Sequence, residues 1–108
     1  MTTAHADIEH HFAGGVYIKR AVLPKGYHIR KHTHGYEHFS VLAVGRATVH
    51  RGGEVLRLKS GDILKVPMNM THEVQADEDC IWLCIHATGE TDPERIDTVL
   101  TRGADHAV

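Results

Sequence analysis

The chain has 108 residues, enough for one domain with a single core but not for two. A hydrophobic content of 42%, a charged content of 24% and a net charge of -2 are ordinary for a soluble globular protein. This charge gives no basis for binding nucleic acid or an anionic membrane surface, and no apolar run is long enough for a membrane span. We expect residues 1–108 to form one domain with frayed ends at 1–13 and 101–108.

The N-terminus and the two cysteines indicate the cellular compartment of the protein. The N-terminal segment has neither the basic start nor the apolar centre of a signal peptide. Cys80 and Cys84 are four residues apart in a predicted strand, which separates their Cα atoms by roughly 13 Å, whereas a disulfide needs less than about 7 Å. We therefore expect two free thiols and a cytoplasmic protein.

Short apolar runs separated by glycine and proline turns predict an all-β fold. The predicted strands, in chain order, are Val16–Leu23, Tyr27–His34, His38–Val44, Ala47–Arg51, Glu54–Leu58, Ile63–Val66, Thr71–Gln75 and Ile81–Ala87. After them, Asp92-Pro93 pairs an N-cap acid with a proline at the first helical position, which predicts a short helix over Pro93–Leu100. Many short strands at regular spacing indicate an antiparallel sandwich or barrel.

Two of the predicted strands, His38–Val44 and Ile81–Ala87, carry apolar residues on both faces. One face fills the barrel, and the other needs a second cover, because large exposed apolar patches are rare on monomers. The residues that need covering are Phe39, Val41, Ile81, Leu83 and Ile85. We expect a homodimer to cover them, with the strand Val16–Leu23 as a further source of cover.

Four histidines, His32, His34, His38 and His72, stand out among the eleven in the chain. Residues two apart in a strand share a face, so His32 and His34 point the same way, roughly 6–7 Å apart along the strand. A turn after His34 lets the next strand bring His38 back toward them. This spacing favours one shared metal ion.

The segments around these histidines resemble the two motifs of the cupin superfamily. The first motif runs glycine, five residues, H-x-H, three or four residues, glutamate, six residues, glycine; Gly26, His32, His34 and Gly45 fall in frame, with His38 in place of the glutamate. The second runs glycine, five residues, P-x-G, two residues, histidine, three residues, asparagine; Gly61, Pro67 and His72 match, with Asn69 and Ala76 as departures. The resemblance covers residues 26–76 and implies a double-stranded β-helix barrel, to which the short C-terminal helix would be added.

The histidine at position 38 makes the chain similar to a subset of small cupins that bind manganese through four imidazoles. The resemblance implies one divalent metal ion per chain, with manganese or iron favoured and zinc, nickel or copper compatible. Glu37 is the alternative ligand, but it would require a one-residue slip that moves every side chain of the strand to the opposite face.

From this resemblance, the leading function is dioxygenase-like, metal-dependent redox chemistry on a small organic molecule. Two alternatives stay open: a lyase or isomerase that uses the metal as a Lewis acid, and a ligand-sensing or metal-binding module without turnover. The candidate pocket residues are Ser40, Leu42, Met70, Trp82, Cys84, His86 and Arg30. Core packing is the alternative for Trp82 and Cys84, a place at a strand end for His86, and solvation for Arg30.

Overall fold

The structure, a computed structural model, describes residues 6–32, 37–67 and 70–95, and of residues 30–32 it describes the backbone alone. Its described part is all-β, as predicted. The strands are β1 (Asp7–Ala13), β2 (Val16–Leu23), β3 (His28–His32), β4 (His38–Val44), β5 (Arg46–Arg51), β6 (Glu54–Lys59), β7 (Ile63–Val66), β8 (His72–Ala76) and β9 (Cys80–Ala87).

These strands form two antiparallel sheets that pack face to face. The five-stranded sheet has the order β1-β2-β9-β4-β7, and the four-stranded sheet has the order β3-β8-β5-β6. Neighbouring strands are mostly distant in sequence, such as β2 beside β9 and β5 beside β8. Strand ends that are far apart in the chain therefore meet at the same end of the barrel.

Two features differ from the sequence prediction. Residues 7–13 were expected to fray but form β1, because all seven pair with β2 across a tight turn at Gly14-Gly15. Of the predicted helix over Pro93–Leu100, the structure describes residues 93–95, and these form a turn. Residues 96–100 and the expected frayed end at 101–108 lie outside the described residues.

One face of each sheet is inward, following the two-residue period of a strand. In β4 the even-numbered residues His38, Ser40 and Leu42 are buried, and in β9 Cys80, Trp82 and His86 are buried. The hydrophobic core concentrates at the end of the barrel where β9 begins, and its most buried members there are Leu23, Leu42, Ala47, Val49, Val74, Ala76, Cys80 and Trp82. We call this the closed end.

The turn between β4 and β5 requires glycine. Gly45 has φ of 103°, a conformation that side-chain-bearing residues rarely adopt. A Cβ there would lie 2.5 Å from the carbonyl oxygen of Asp79 and 2.8 Å from Cys80 Sγ. Gly45, the last glycine of the first motif, therefore allows the β4–β5 turn to pack directly on the start of β9.

The outer face of the five-stranded sheet carries the apolar residues identified in the sequence. Phe39 is 51% exposed, while Val41, Ile81, Leu83 and Ile85 are partly buried. Strand β2 pairs with the edge of β9, so it extends the sheet and does not form a layer over this face. No helix able to cross a bilayer is found among the described residues.

Candidate metal centre

Three buried histidines converge at the other end of the barrel, which we call the histidine end. His38 begins β4, His72 begins β8, and His86 lies one residue before the end of β9; each is at most 5% exposed. The ring centroids of His38 and His86 are 4.5 Å apart, and those of His38 and His72 are 6.3 Å apart. His38 and His72 come from different sheets, so the cluster spans the barrel interior.

Cys84 lies one inward position before His86 on β9. The ligand atoms of His38, Cys84 and His86 all lie within 4.8 Å of one another. These three residues are therefore close enough to hold a metal ion. Both cysteines are free thiols, as expected.

Burial raises the pKa of the Cys84 thiol, and this effect outweighs a hydrogen bond from Ser40 and the charge of Lys19, which lower it. Ser40 Oγ donates to Cys84 Sγ at 3.7 Å. Metal ligation needs the thiolate, so burial disfavours Cys84 as a ligand in comparison with the imidazoles around it.

The orientation of His72 suits a ligand. Its Nδ1 lies 3.3 Å from the backbone carbonyl oxygen of Met70. Because a carbonyl oxygen can only accept, Nδ1 carries the proton in this contact, which leaves Nε2 with a lone pair. Metal-binding histidines commonly have their second ring nitrogen held in this way.

Tyr17 extends the ring cluster toward β1, and sequence analysis did not identify it. Its ring stacks on His86 at a centroid distance of 5.8 Å and on Phe12 at 4.9 Å. Its hydroxyl forms a 2.7 Å hydrogen bond with His10 Nδ1. Tyr17 is fully buried, so it supports one side of His86. The available signal was its position on the same face of β2 as Ala21 and Leu23.

The predicted ligands are described only in part. The backbone of His32 lies opposite His72 in the pairing of β3 with β8, so the two positions adjoin at the histidine end. The side chain of His32 and all of His34 lie outside the described residues. Glu37 is exposed and forms a 3.3 Å ion pair with Lys65, while the adjacent His38 points inward.

The candidate pocket residues divide between the two ends of the barrel. Leu42 and Trp82 pair across β4 and β9 inside the hydrophobic core, so they lie away from the cluster and fill the core. Ser40, Cys84 and His86 do lie beside His38. His86, which the alternative interpretation placed at a strand end, is one of the most buried polar residues. The side chain of Arg30 lies outside the described residues.

Two cavities open beside the cluster. One, of about 310 Å³, is lined in part by His38, His86, Phe39 and Lys65. The other, of about 290 Å³, is lined in part by His72, Arg51 and the β5–β6 turn at Gly52-Gly53. Small molecules can therefore approach the buried imidazoles from two sides.

The donor set fits a divalent transition metal. Imidazole nitrogens bind iron, nickel, copper and zinc well, at ligand distances near 2.0–2.1 Å in the case of zinc. Of the described side chains, those of His38, Cys84 and His86 lie close enough together to hold one ion, and the His72 ring and the backbone of His32 adjoin them.

Comparison with known proteins agrees with this geometry. The cupin-domain family model, Cupin_2, matches residues 19–86, which contain β3 to β8 in full, β2 from Lys19 onward and β9 up to His86. Comparison with curated protein sequences gives no significant match.

Several solved structures share the fold at low sequence identity. A cupin superfamily protein from Desulfitobacterium hafniense aligns with a TM-score of 0.68 and 15% identity over 80% of this chain and 78% of its own. KdgF from Halomonas sp. aligns at 0.66 and 20% identity over 76% of each chain. Salicylate 1,2-dioxygenase from Pseudaminobacter salicylatoxidans aligns at 0.64 and 18% identity over 68% of this chain but 21% of its own. By the family match and by its fold, this chain belongs to the cupin family.

Proposed function

We propose that the chain binds one divalent metal ion through His32, His34, His38 and His72 and oxidises a small organic molecule in a dioxygenase-like reaction. The observation that carries the metal-binding part is the convergence of buried His38, His72 and His86 inside one end of the barrel. Support for redox chemistry comes from the similarity to the four-imidazole cupins and from the dioxygenase among the structural neighbours.

The ligand charge favours this proposal. Imidazoles are neutral, so a set of four leaves the full charge of a divalent ion in place, whereas a glutamate ligand would cancel one unit. We therefore expect the divalent state to be favoured, and the preference for manganese or iron rests on the resemblance to the four-imidazole cupins. When bound, such an ion would supply redox or Lewis-acid chemistry to a coordinated substrate.

The chain's own residues have three roles in this proposal. The Met70 carbonyl orients the His72 ring, and Tyr17 packs against His86, which in turn stacks on His38. The hydrophobic core closes the far end of the barrel to water. Substrate reaches the imidazoles through the two cavities that border His38 and His72.

Metal identity tests the proposal most directly. Protein purified without a nickel column should contain close to one manganese or iron per chain by elemental analysis, with a matching electron paramagnetic resonance signal. An oxygen electrode should then detect uptake with at least one compound among diketones, flavonols, catechols and thiols. Full occupancy by zinc, which has no redox chemistry, would instead favour the Lewis-acid or sensing function.

Substitutions can distinguish the proposed four-histidine ligand set from the alternative set of His38, Cys84 and His86. With the proposed set, His34→Ala should remove most of the metal, while Cys84→Ser and His86→Phe should keep it. The phenyl ring of the last variant preserves stacking on His38 and Tyr17 but offers no ligand atom. The reverse pattern of metal contents would assign the ion to His38, Cys84 and His86.

We also propose that the chain forms a homodimer through the outer face of the five-stranded sheet. Phe39 and Ile63 are 51% and 68% exposed on this sheet, beside the partly buried Val41, Leu83 and Ile85. Apolar surface of this kind is usually covered in a stable protein. In light scattering, the mass should be twice the 12.0 kDa of one chain, and Phe39→Asp should halve it. A monomeric mass for the unaltered chain would contradict the dimer.

A further inference from the structure

Arg51 is a cation on the inward face of the barrel at the histidine end. It ends β5, two residues after the fully buried Val49, so the strand period points it inward. Its backbone pairs with that of His72 on β8. The Arg51 side chain is only 20% exposed, which is unusual for an arginine at a strand end.

The guanidinium of Arg51 bridges the two sheets. Nη1 donates a 2.6 Å hydrogen bond to the backbone carbonyl of Lys65 on β7, and the next residue of β7, Val66, pairs with His38. Arg51 is therefore adjacent to His72 through the pairing of β5 with β8. Through Lys65 it also contacts β7 next to Val66, the residue that pairs with His38.

The hydrogen-bonding capacity of Arg51 is not used up by these contacts. Its Nε is buried and has no hydrogen-bond partner among the described residues; the nearest carboxylate oxygen, Glu54 Oε1, is 3.7 Å away. Glu54 is 61% exposed, so this ion pair is weak and easily replaced. An arginine has five donors in a planar fork that matches a carboxylate, and most of them remain available.

The cavity beside Arg51 carries charges of both signs. Two carboxylates, Glu54 and Glu73, line it together with Arg51 and His72. Glu73 Oε2 lies 3.3 Å from His28 Nε2, so Arg51 is the cation of this lining that has hydrogen-bond donors left for a ligand. A divalent ion held by His72 would add two positive charges, which favour a bound anion at low local dielectric.

We infer that Arg51 binds an anionic oxygen of the substrate, in the cavity that Arg51 shares with His72, so that the substrate is a small organic anion such as a carboxylate. The cavity, of about 290 Å³, is lined by both residues, which lets one ligand contact the guanidinium and a metal held by His72 together. Arg51 is thus a substrate-binding residue. This inference rests on the proposed metal-binding function for the second contact, but the charge preference of Arg51 is testable without metal.

Binding of matched anionic and neutral probes tests the inference. Isothermal titration calorimetry would compare pyruvate with pyruvamide and benzoate with benzamide, using metal-free and cobalt-loaded protein. We expect each carboxylate to bind at least about tenfold more tightly than its amide. A factor of about ten is the low end of what a hydrogen bond to a charged group contributes. The visible bands of the cobalt protein should shift with the carboxylates and respond far less to the amides.

Substitutions test whether Arg51 causes the preference for carboxylates over amides. Arg51→Gln should abolish it, and Arg51→Lys should keep the charge but weaken binding, because the fork geometry is lost. Arg46→Gln is the matched control, since Arg46 begins the same strand with a side chain that is 69% exposed and pairs with Glu78. Glu54→Gln, an exposed change that should not disturb folding, should tighten carboxylate binding a few fold by removing the competing acid.

The outcomes distinguish this inference from the proposed function. An equal affinity for carboxylates and amides in the unaltered protein, or a preference that survives Arg51→Gln, would overturn the inference. An unchanged affinity in Glu54→Gln would also count against it. Failure to take up any metal would refute the proposed function alone, because the metal-free titrations still decide the charge preference.

Discussion

The two ends of this barrel share strands and sheets but differ in what their inward positions carry. At the closed end, β4 and β9 contribute Leu42 and Trp82, and the core is hydrocarbon. At the histidine end, the same two strands contribute His38 and His86. The difference shows that one end stabilises the fold, while the other uses that stability to hold polar groups that would be costly to bury alone.

The largest effect should come from the closed end. Trp82 is 3% exposed inside the core, so Trp82→Ala should lower the free energy of unfolding by about 3–5 kcal/mol in urea denaturation. Val55→Ala, on the four-stranded sheet at a 53% exposed position, is the control and should cost far less. A small loss for Trp82→Ala would mean that the closed end does not carry the stability.

Removal of metal should have the next largest effect, confined to the histidine end. An ion present at about 100 times its dissociation constant stabilises the fold by about 2.7 kcal/mol, so chelation should lower the melting temperature. In His38→Ala the melting temperature should no longer respond to the chelator, whereas Glu37→Ala, next to it and exposed, should respond normally. His38→Glu should retain the metal with an altered redox potential. Loss of metal from Glu37→Ala and not from His38→Ala would reverse the assignment of the inward residue.

The β4–β5 turn provides a test of backbone strain at the closed end. Gly45→Ala combines a positive φ with a Cβ only 2.5 Å from the Asp79 carbonyl oxygen, and should cost about 2 kcal/mol. Gly53→Ala shares a positive φ, but nothing lies within 4 Å of its Cβ. Calorimetry should therefore show a smaller fall in melting temperature for Gly53→Ala. Equal falls would mean that φ alone sets the cost.

The smallest expected effect is a pH dependence from Cys80 at the closed end. Burial raises the pKa of the Cys80 thiol, so the folded state keeps its proton when the unfolded chain, with a thiol pKa of about 8.5, has lost it. This contribution to stability is complete below that pH and is lost as pH rises through the folded pKa, by at most about 1.4 kcal/mol per pH unit. Urea denaturation of Cys80→Ala between pH 8 and 10 should show a shallower decline than the unaltered chain. Parallel declines would argue against the buried thiol as a cause.

Much of the fold followed from local patterns. Glycine and proline turns bounded runs with a two-residue period, and β2, β4 and β7 have the predicted bounds without change. The strand β1 was missed because its sequence, DIEHHFA, is polar at most positions; it is held by pairing with β2, which local composition does not report. Histidines 32, 38 and 72 were predicted to adjoin, and the structure brings the backbone of His32 and the rings of His38 and His72 to one end.

The sequence alone determined the all-β fold, the cupin motifs and the inward parity of β4, because turns and two-residue periods are local properties. It left open which face of β9 is inward and gave no sign of Arg51, Tyr17 or Lys19 at the site. Those assignments depend on which strands become neighbours: β9 pairs with both β2 and β4, so Tyr17 and His38 meet His86. Likewise, β5 pairs with β8, so Arg51 lies opposite His72. Pairing between distant segments is set by the packing of the whole barrel, and only the tertiary structure decides it.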